Sequence, residues 1–200
     1  MKKKIEILIG THNPGKFKEL SFLVSKKYKK VSPLSLKIAS PKETGKTFLA
    51  NSKLKAMFFY KKTGKNVISD DSGLCIDCLQ GRPGIYSARW AKKSGGFKKT
   101  MIRILKMVEF KNKNKKIKNF KARFVCSLTF TRDNGKSIST TGIIHGQLSK
   151  KIKGKNGFGY DPIFIPNKQK ETFGEMLKGK KILMDHRFIA FKKLKKKVRI

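Results

Sequence analysis

At 200 residues with 38% hydrophobic content, the chain is long enough for one domain, or for two lobes that share a sheet. No apolar run approaches the ~18 residues of a membrane-spanning helix. The basic start from Met1 to Lys4 leads into an apolar stretch, Ile5–Ile9, that is interrupted by Glu6 and is too short for a secretory leader, so a cytoplasmic protein with no membrane partner is expected. The formal net charge of +38 attracts polyanions non-specifically, but the lysines recur along the whole chain and no aromatic-basic signature of an RNA-binding sheet is recognisable, so a lysine-enriched solvated surface is the simpler reading.

In chain order, Ile5–Ile9 reads as a buried strand and Gly10–Gly15 as a turn. A helix follows, with Phe17, Leu20, Leu23 and Val24 at helical spacing. A loop through Ser40–Gly45 precedes a helix over about Thr47–Lys62. Val67–Ser69 is a short strand that runs into Asp70-Asp71-Ser72-Gly73, which either carries function at the strand end or is a plain polar turn, and Leu74–Leu79 extends again. Met101, Ile104, Leu105 and Val108 mark a further helix, and the Lys/Asn-rich stretch Phe110–Asn119 reads as a solvated loop. Phe120–Thr131 and Lys136–Gln147 form a hairpin around Asp133-Asn134-Gly135, in which Asn-Gly is the turn signal. A glycine-rich loop, Lys155–Tyr160, leads to a short strand at Pro162–Ile165, and one helix closes the chain over about Lys180–Lys197. Strands and helices mixed in this way make an α/β or α+β protein. Cys75, Cys78 and Cys126 are odd in number, complete no zinc spacing, and are expected to be reduced.

Three motifs carry chemistry. Gly10-Thr11-His12-Asn13-Pro14-Gly15-Lys16 begins like a phosphate-binding P-loop, but Phe17 stands where a magnesium-binding Ser or Thr belongs. A strand-to-helix turn still aims free N–H groups and a helix dipole at one spot, and Lys16 adds a full charge; a plain turn capped by Asn13 explains the same residues. Adjacent carboxylates at Asp70 and Asp71 are tolerated where a hard cation or an open cleft compensates for their repulsion. Gly157-Phe158-Gly159-Tyr160-Asp161-Pro162 sets two aromatics and an acid among breakers, where an aromatic can stack on a base or simply bury itself in a turn. No metal-ligand spacing links His12, His145 and His186.

Taken together the chain resembles the inosine triphosphate pyrophosphatase family, also called the non-canonical purine NTP pyrophosphatases. The resemblance rests on Thr11-His12-Asn13-Pro14-Gly15-Lys16 with Glu19, on Glu43–Phe48, on Asn51 with Lys55-Ala56, and on Asp70–Leu74. It continues through Gly81-Arg82-Pro83-Gly84-Ile85-Tyr86-Ser87-Ala88-Arg89, Gly157–Pro162 and His186-Arg187, from Ile5 to about Leu194. It implies an elongated mixed β-sheet with flanking helices, in one enzyme domain whose two lobes surround a central active-site cleft, and a homodimer. It also implies magnesium-dependent attack of water on the α-phosphorus of ITP, dITP or XTP. Thr11, His12, Asn13, Pro14, Gly15, Lys16 and Lys55 would hold the triphosphate. Asp71 would be the proton acceptor and, with Glu43 and Asp70, a magnesium ligand. Ser72 would touch substrate and Phe158, flanked by Gly159 and Tyr160, would stack on the purine. Asp161, Lys181, His186 and Arg187 would read the base or brace it.

Three residues depart from the family pattern: Lys42, where an acid commonly precedes Glu43, Ala50, where Glu commonly precedes Asn51, and Asp185, where Ser commonly precedes His186. A Maf-type nucleotide pyrophosphatase fits the Asp-Asp-Ser-Gly and Gly-Phe-Gly-Tyr-Asp-Pro motifs less well. The excess charge leaves room for a basic nucleic-acid-binding protein on the same fold.

Overall fold

The computed structural model describes residues 5–198 and residue 200. The secondary structure comprises β1 (Glu6–Ile9), α1 (Pro14–Leu23), β2 (Lys29–Val31), α2 (Phe48–Thr63), β3 (Asn66–Ile76), α3 (Ser87–Lys93), α4 (Phe97–Asn112), β4 (Lys121–Thr131), β5 (Ser137–Leu148), β6 (Phe164–Pro166), α5 (Lys178–Ile182) and α6 (His186–Lys195). The six strands form one mixed sheet in the order β2-β1-β3-β4-β5-β6, so the fold is α/β as expected. β1 pairs in parallel with β2 and β3, and β6 pairs antiparallel with β5. The chain falls into two compact units, each built from separate stretches of sequence: residues 1–71, 126–142 and 186–200, and residues 72–125 and 143–185.

In the first unit β1 is flanked by β2 and β3 and buried on both faces, which is why it reads as a nearly unbroken apolar run, whereas β2 at the sheet edge leaves Lys29 exposed. Ile7 and Ile9 join Leu20 of α1 and Ala190, Phe191 and Leu194 of α6 in one core. Leu8, one residue out of phase, points to the other face and packs with Ala56 and Phe59 of α2. Gly142 lets α6 lie directly against β5, because a Cβ there would collide with His186 O and the Ala190 backbone. Each of α1 and α2 starts with a side-chain cap: Asn13 accepts from Lys16 N–H, and Thr47 accepts from Ala50 N–H.

In the second unit Leu74 and Ile76 of β3, Met101, Ile104 and Val108 of α4, and Phe124, Phe164 and Phe173 form the core. The apolar spacing that marked α4 in the sequence is the face that packs here. None of the three cysteines forms a disulfide, and Cys78 lies in a short 3-10 turn rather than in an extended strand.

Three sequence expectations change. Asp70-Asp71-Ser72-Gly73 is no turn: β3 runs unbroken through it for 11 residues. The C-terminal helix is two helices, interrupted at Leu183–Asp185, where the N–H groups of Met184 and Asp185 both return to Lys181 O. The expected loop from Phe110 is still helix to Asn112, whose amide receives Asn119 N–H and donates to Asn119 O to close the turn into β4. β2 and α3 had no counterpart in the sequence reading.

Charge is sorted by depth. Five of the twelve acids, Glu19, Asp70, Asp71, Asp161 and Asp185, are buried, whereas among the described basic residues only Lys55, Lys181 and Arg187 are.

Candidate active site

The first unit gathers most of the charged candidates around the middle of β3. Successive residues of a strand face opposite ways, so Asp70 and Asp71 do not form one two-carboxylate ligand. Asp70, fully buried, takes Lys16 Nζ at 3.1 Å and Arg187 Nη2 at 3.1 Å on its Oδ2. Burial alone would raise its proton affinity, but Lys16 and Arg187 outweigh that and hold the carboxyl far below its ordinary range. Arg187 is only 1% exposed, and its other arm meets buried Glu19. The guanidinium placed by the family resemblance at the base edge is therefore clamped between two carboxylates of its own unit.

Asp71 has a different environment. It is also buried, and its Oδ2 accepts from Asn51 Nδ2 at 2.9 Å. Burial pushes its carboxyl above the usual value, and Glu43 adds to the rise against the pull of Lys16 and Lys55. Lys55, on α2, bonds Glu43 Oε1 at 2.6 Å. Burial opposes its charge, yet Asp70, Glu43 and Asp71 together raise its proton affinity, so it stays an ammonium. Asn51, fully buried, was named in the sequence motif but given no role. Its second amide atom receives Gly45 N–H at 2.8 Å, so it ties Asp71 to the loop that carries Glu43. A fully buried Asn on a helix face that otherwise packs was the available signal.

The β1–α1 turn lies in the same unit. Thr11 is buried and its Oγ1 accepts from Asn13 N–H; Asn13 Oδ1 receives Lys16 N–H; Pro14 and Gly15 occupy the first turn of α1. Asn13 is thus the helix cap that the plainer reading anticipated. His12 turns away from this loop: Nε2 lies 2.9 Å from Ile38 O and Nδ1 2.6 Å from Ser40 Oγ, so its ring fastens the segment that leads to Glu43. His186, at the first turn of α6, is buried.

The second unit holds the remaining candidates. Asp161 Oδ2 accepts from Lys181 Nζ at 2.7 Å and from Phe158 N–H at 2.8 Å, a close approach that requires Gly157, where a Cβ would strike the same carboxylate. Lys181, 3% exposed, sits 4.7 Å from the centre of the Phe158 ring. Tyr160 is buried and its OH donates to Ser87 O at 2.9 Å, so it anchors the loop rather than facing solvent. Ser87 in turn receives Leu74 N–H and donates to Gly84 O, and Gly73 has no room for a Cβ beside these atoms. Ser87 thereby fixes the backbone next to Ser72, a half-buried residue of β3. Gly159 has φ +67°, the left-handed region. Asp185 is buried just ahead of α6.

Among the described residues no group of three or more His, Cys, Asp or Glu is arranged to hold a metal by itself. Asp71 and Glu43 nonetheless fit magnesium, which takes one or two carboxylates and completes its shell with phosphate oxygens and water. Asp70 fits less well, because Lys16 and Arg187 share its Oδ2.

The sequence matches the Ham1 family over residues 7–197. It is 39% identical over 199 residues to a dITP/XTP pyrophosphatase of Dictyoglomus thermophilum, covering 98% of this chain and 94% of that one. It is 39% identical over 194 residues to a dITP/XTP pyrophosphatase of Oceanobacillus iheyensis, covering 96% of each. The fold superposes on a HAM1 protein from Coxiella burnetii with a TM-score of 0.84 at 29% identity, over 96% of this chain and 97% of that one.

Proposed function

The chain belongs to the Ham1 family, and from that membership and the groups around β3 we propose that it hydrolyses ITP, dITP and XTP to the monophosphate and pyrophosphate. The observation that carries the reading is Asp71: a buried carboxylate with raised proton affinity, beside Glu43 and within the field of Lys16 and Lys55. A general base works best when its proton affinity is tuned upward toward the working pH, and this environment tunes it in that direction.

Lys16, Lys55 and the positive end of the α1 dipole offset the charge of the triphosphate. Asp71 accepts a proton from the attacking water as its oxygen bonds to the α-phosphorus; the bond from that phosphorus to the α–β bridging oxygen breaks, and pyrophosphate leaves. A magnesium ion held by Asp71 and Glu43 would act as a Lewis acid on the phosphate oxygens. Asn51 and His12 position the Glu43 loop, and Asp70 holds Lys16 and Arg187 in place.

Phe158 offers a face for the purine and Lys181 a donor beside that face. Hypoxanthine and xanthine carry a 6-oxo acceptor there, whereas adenine would set its amino donor against the ammonium. A mismatch of that kind discriminates by about 10⁴-fold. Ser72 contacts the substrate, and the enzyme works as a cytoplasmic homodimer that keeps such nucleotides out of DNA and RNA. No helix among the described residues is long and apolar enough to cross a membrane.

The test is pyrophosphate release from dITP, ITP and XTP against ATP and GTP, with magnesium and with a chelator. Magnesium-dependent release from the first three and not from ATP is expected, with GTP, which shares the 6-oxo group, reporting on the 2-position; equal rates on ATP, or no release from folded protein, overturn the reading.

A further inference from the structure

In the second unit the C-terminal half of α4, the segment leading into β4, and the end of β5 enclose an open groove of about 660 Å³. It continues into a hollow of about 480 Å³ that shares Phe120, Ser149 and Lys150 with it. Lys106, Lys113, Lys118 and Lys150 line the first part, and Lys150, Lys151 and Lys153 the second. Among the described lining residues Glu109 is the one acid. The floor is apolar, with Leu105, Val108 and Phe120, and Phe110 stands 76% exposed at the rim. Lys111–Lys121 between the two walls carries six lysines and no acid. None of these residues belongs to the clusters around Asp71 or Lys181.

Lysines on both walls of an apolar groove with a projecting aromatic ring have the chemistry of a phosphate chain whose bases are unstacked. Ammonium groups meet the phosphates, and a base face covers the ring; a duplex keeps its base faces stacked and cannot do the second. We propose that this groove binds single-stranded nucleic acid, independently of the pyrophosphatase reading.

The magnitude follows from the six groove lysines. Neutralising six phosphates of a single strand gives a slope of about −4 in log K against log salt, which is about a 300-fold loss between 50 and 200 mM. The experiment is fluorescence anisotropy with labelled oligo(dT) of about twelve nucleotides, using the full chain, across that salt range. Reversing Lys113, Lys118 and Lys150 to Glu should weaken binding at least about tenfold and flatten the slope by about 2. Reversing the exposed Lys26, Lys27 and Lys61 of the first unit should weaken it by less than about threefold. Phe110→Ala, at an exposed position, should weaken oligo(dT) binding but leave duplex binding unchanged. Circular dichroism and an unchanged thermal unfolding midpoint certify that the variants are folded. Equal weakening by the two triple reversals would show diffuse attraction and overturn the proposal. So would absence of binding at 50 mM salt, or equal affinity for polyglutamate of the same length.

Discussion

Replacing Asp71 with Asn tests the proposed chemistry with little disturbance of the packing. The amide has the shape of the carboxylate, and its oxygen can still accept the 2.9 Å bond from Asn51. What disappears is a buried negative charge and a proton acceptor. Loss of a general base costs about 10²- to 10⁴-fold in turnover, or about 3–5 kcal/mol in the barrier. Stability should move the other way or not at all. Because burial raises the carboxyl's proton affinity, the folded state binds more protons than the unfolded state above the unfolded value near 3.9, so the ionised form is a net destabilising group at neutral pH. The assay pairs pyrophosphate release at saturating dITP with thermal unfolding. The expected result is a kcat lower by at least about 100-fold, with Tm unchanged or raised. A variant that retains kcat within about tenfold removes Asp71 from the role of base. A Tm lower by about 5 °C or more makes it a structural residue, since about 2–4 °C accompanies each kcal/mol at this size.

Arg187→Met leaves Glu19 and Asp70 buried without their shared guanidinium, and breaking such a pair costs about 3–5 kcal/mol, readable by urea unfolding; adding Glu19→Gln should recover part of the loss. Asp70 sets an acid limit: its lowered proton affinity contributes stability that is fully present above the unfolded value near 3.9 and is lost as pH falls below it, so Asp70→Asn should flatten the acid limb of a stability–pH curve. Gly10→Ala places a methyl on Ser69 Oγ and 2.7 Å from a Phe59 ring carbon, and this overpacking should lower stability by about 1–3 kcal/mol in the same urea assay.

Periodicity located β1, α1 and α4, which bury the face that their apolar spacing defines, and the Asn-Gly turn located the β4–β5 hairpin. The spacing of Phe48, Leu54, Met57 and Phe58 placed α2 but not its inner face: those four are half-buried, and the helix buries Asn51, Ser52, Lys55, Ala56 and Phe59 instead, because the polar side chains meet Asp71, Thr129 and Glu43. It failed where partners distant in sequence override local preference. Two acids, a Ser and a Gly read as a turn, yet they lie within β3, since Lys16, Lys55, Arg187 and Asn51 satisfy the carboxylates and close packing at Ser87 requires the glycine. The terminal helix read as continuous because a break at Leu183–Asp185 leaves the surrounding apolar pattern nearly in phase. Motif order picked out candidate residues, but it could not say which of them the folded chain would pair with one another. His12 and Arg187 have the chemistry of ligand-binding groups, and in the fold they also meet protein partners that the sequence does not reveal: Ile38 and Ser40 for His12, Glu19 and Asp70 for Arg187.

With acids drawn inward and nearly every lysine left outside, the folded molecule carries its surplus of positive charge on its surface. Folding brings those charges closer together than the extended chain holds them, so mobile anions become part of what keeps the protein compact. Their reach shortens from about 30 Å at 0.01 M ionic strength to about 8 Å at 0.15 M. Lowering the ionic strength should therefore lower the unfolding temperature of this protein, since an ordinary saline medium supplies the counter-charge that a more balanced sequence would have carried as aspartates of its own.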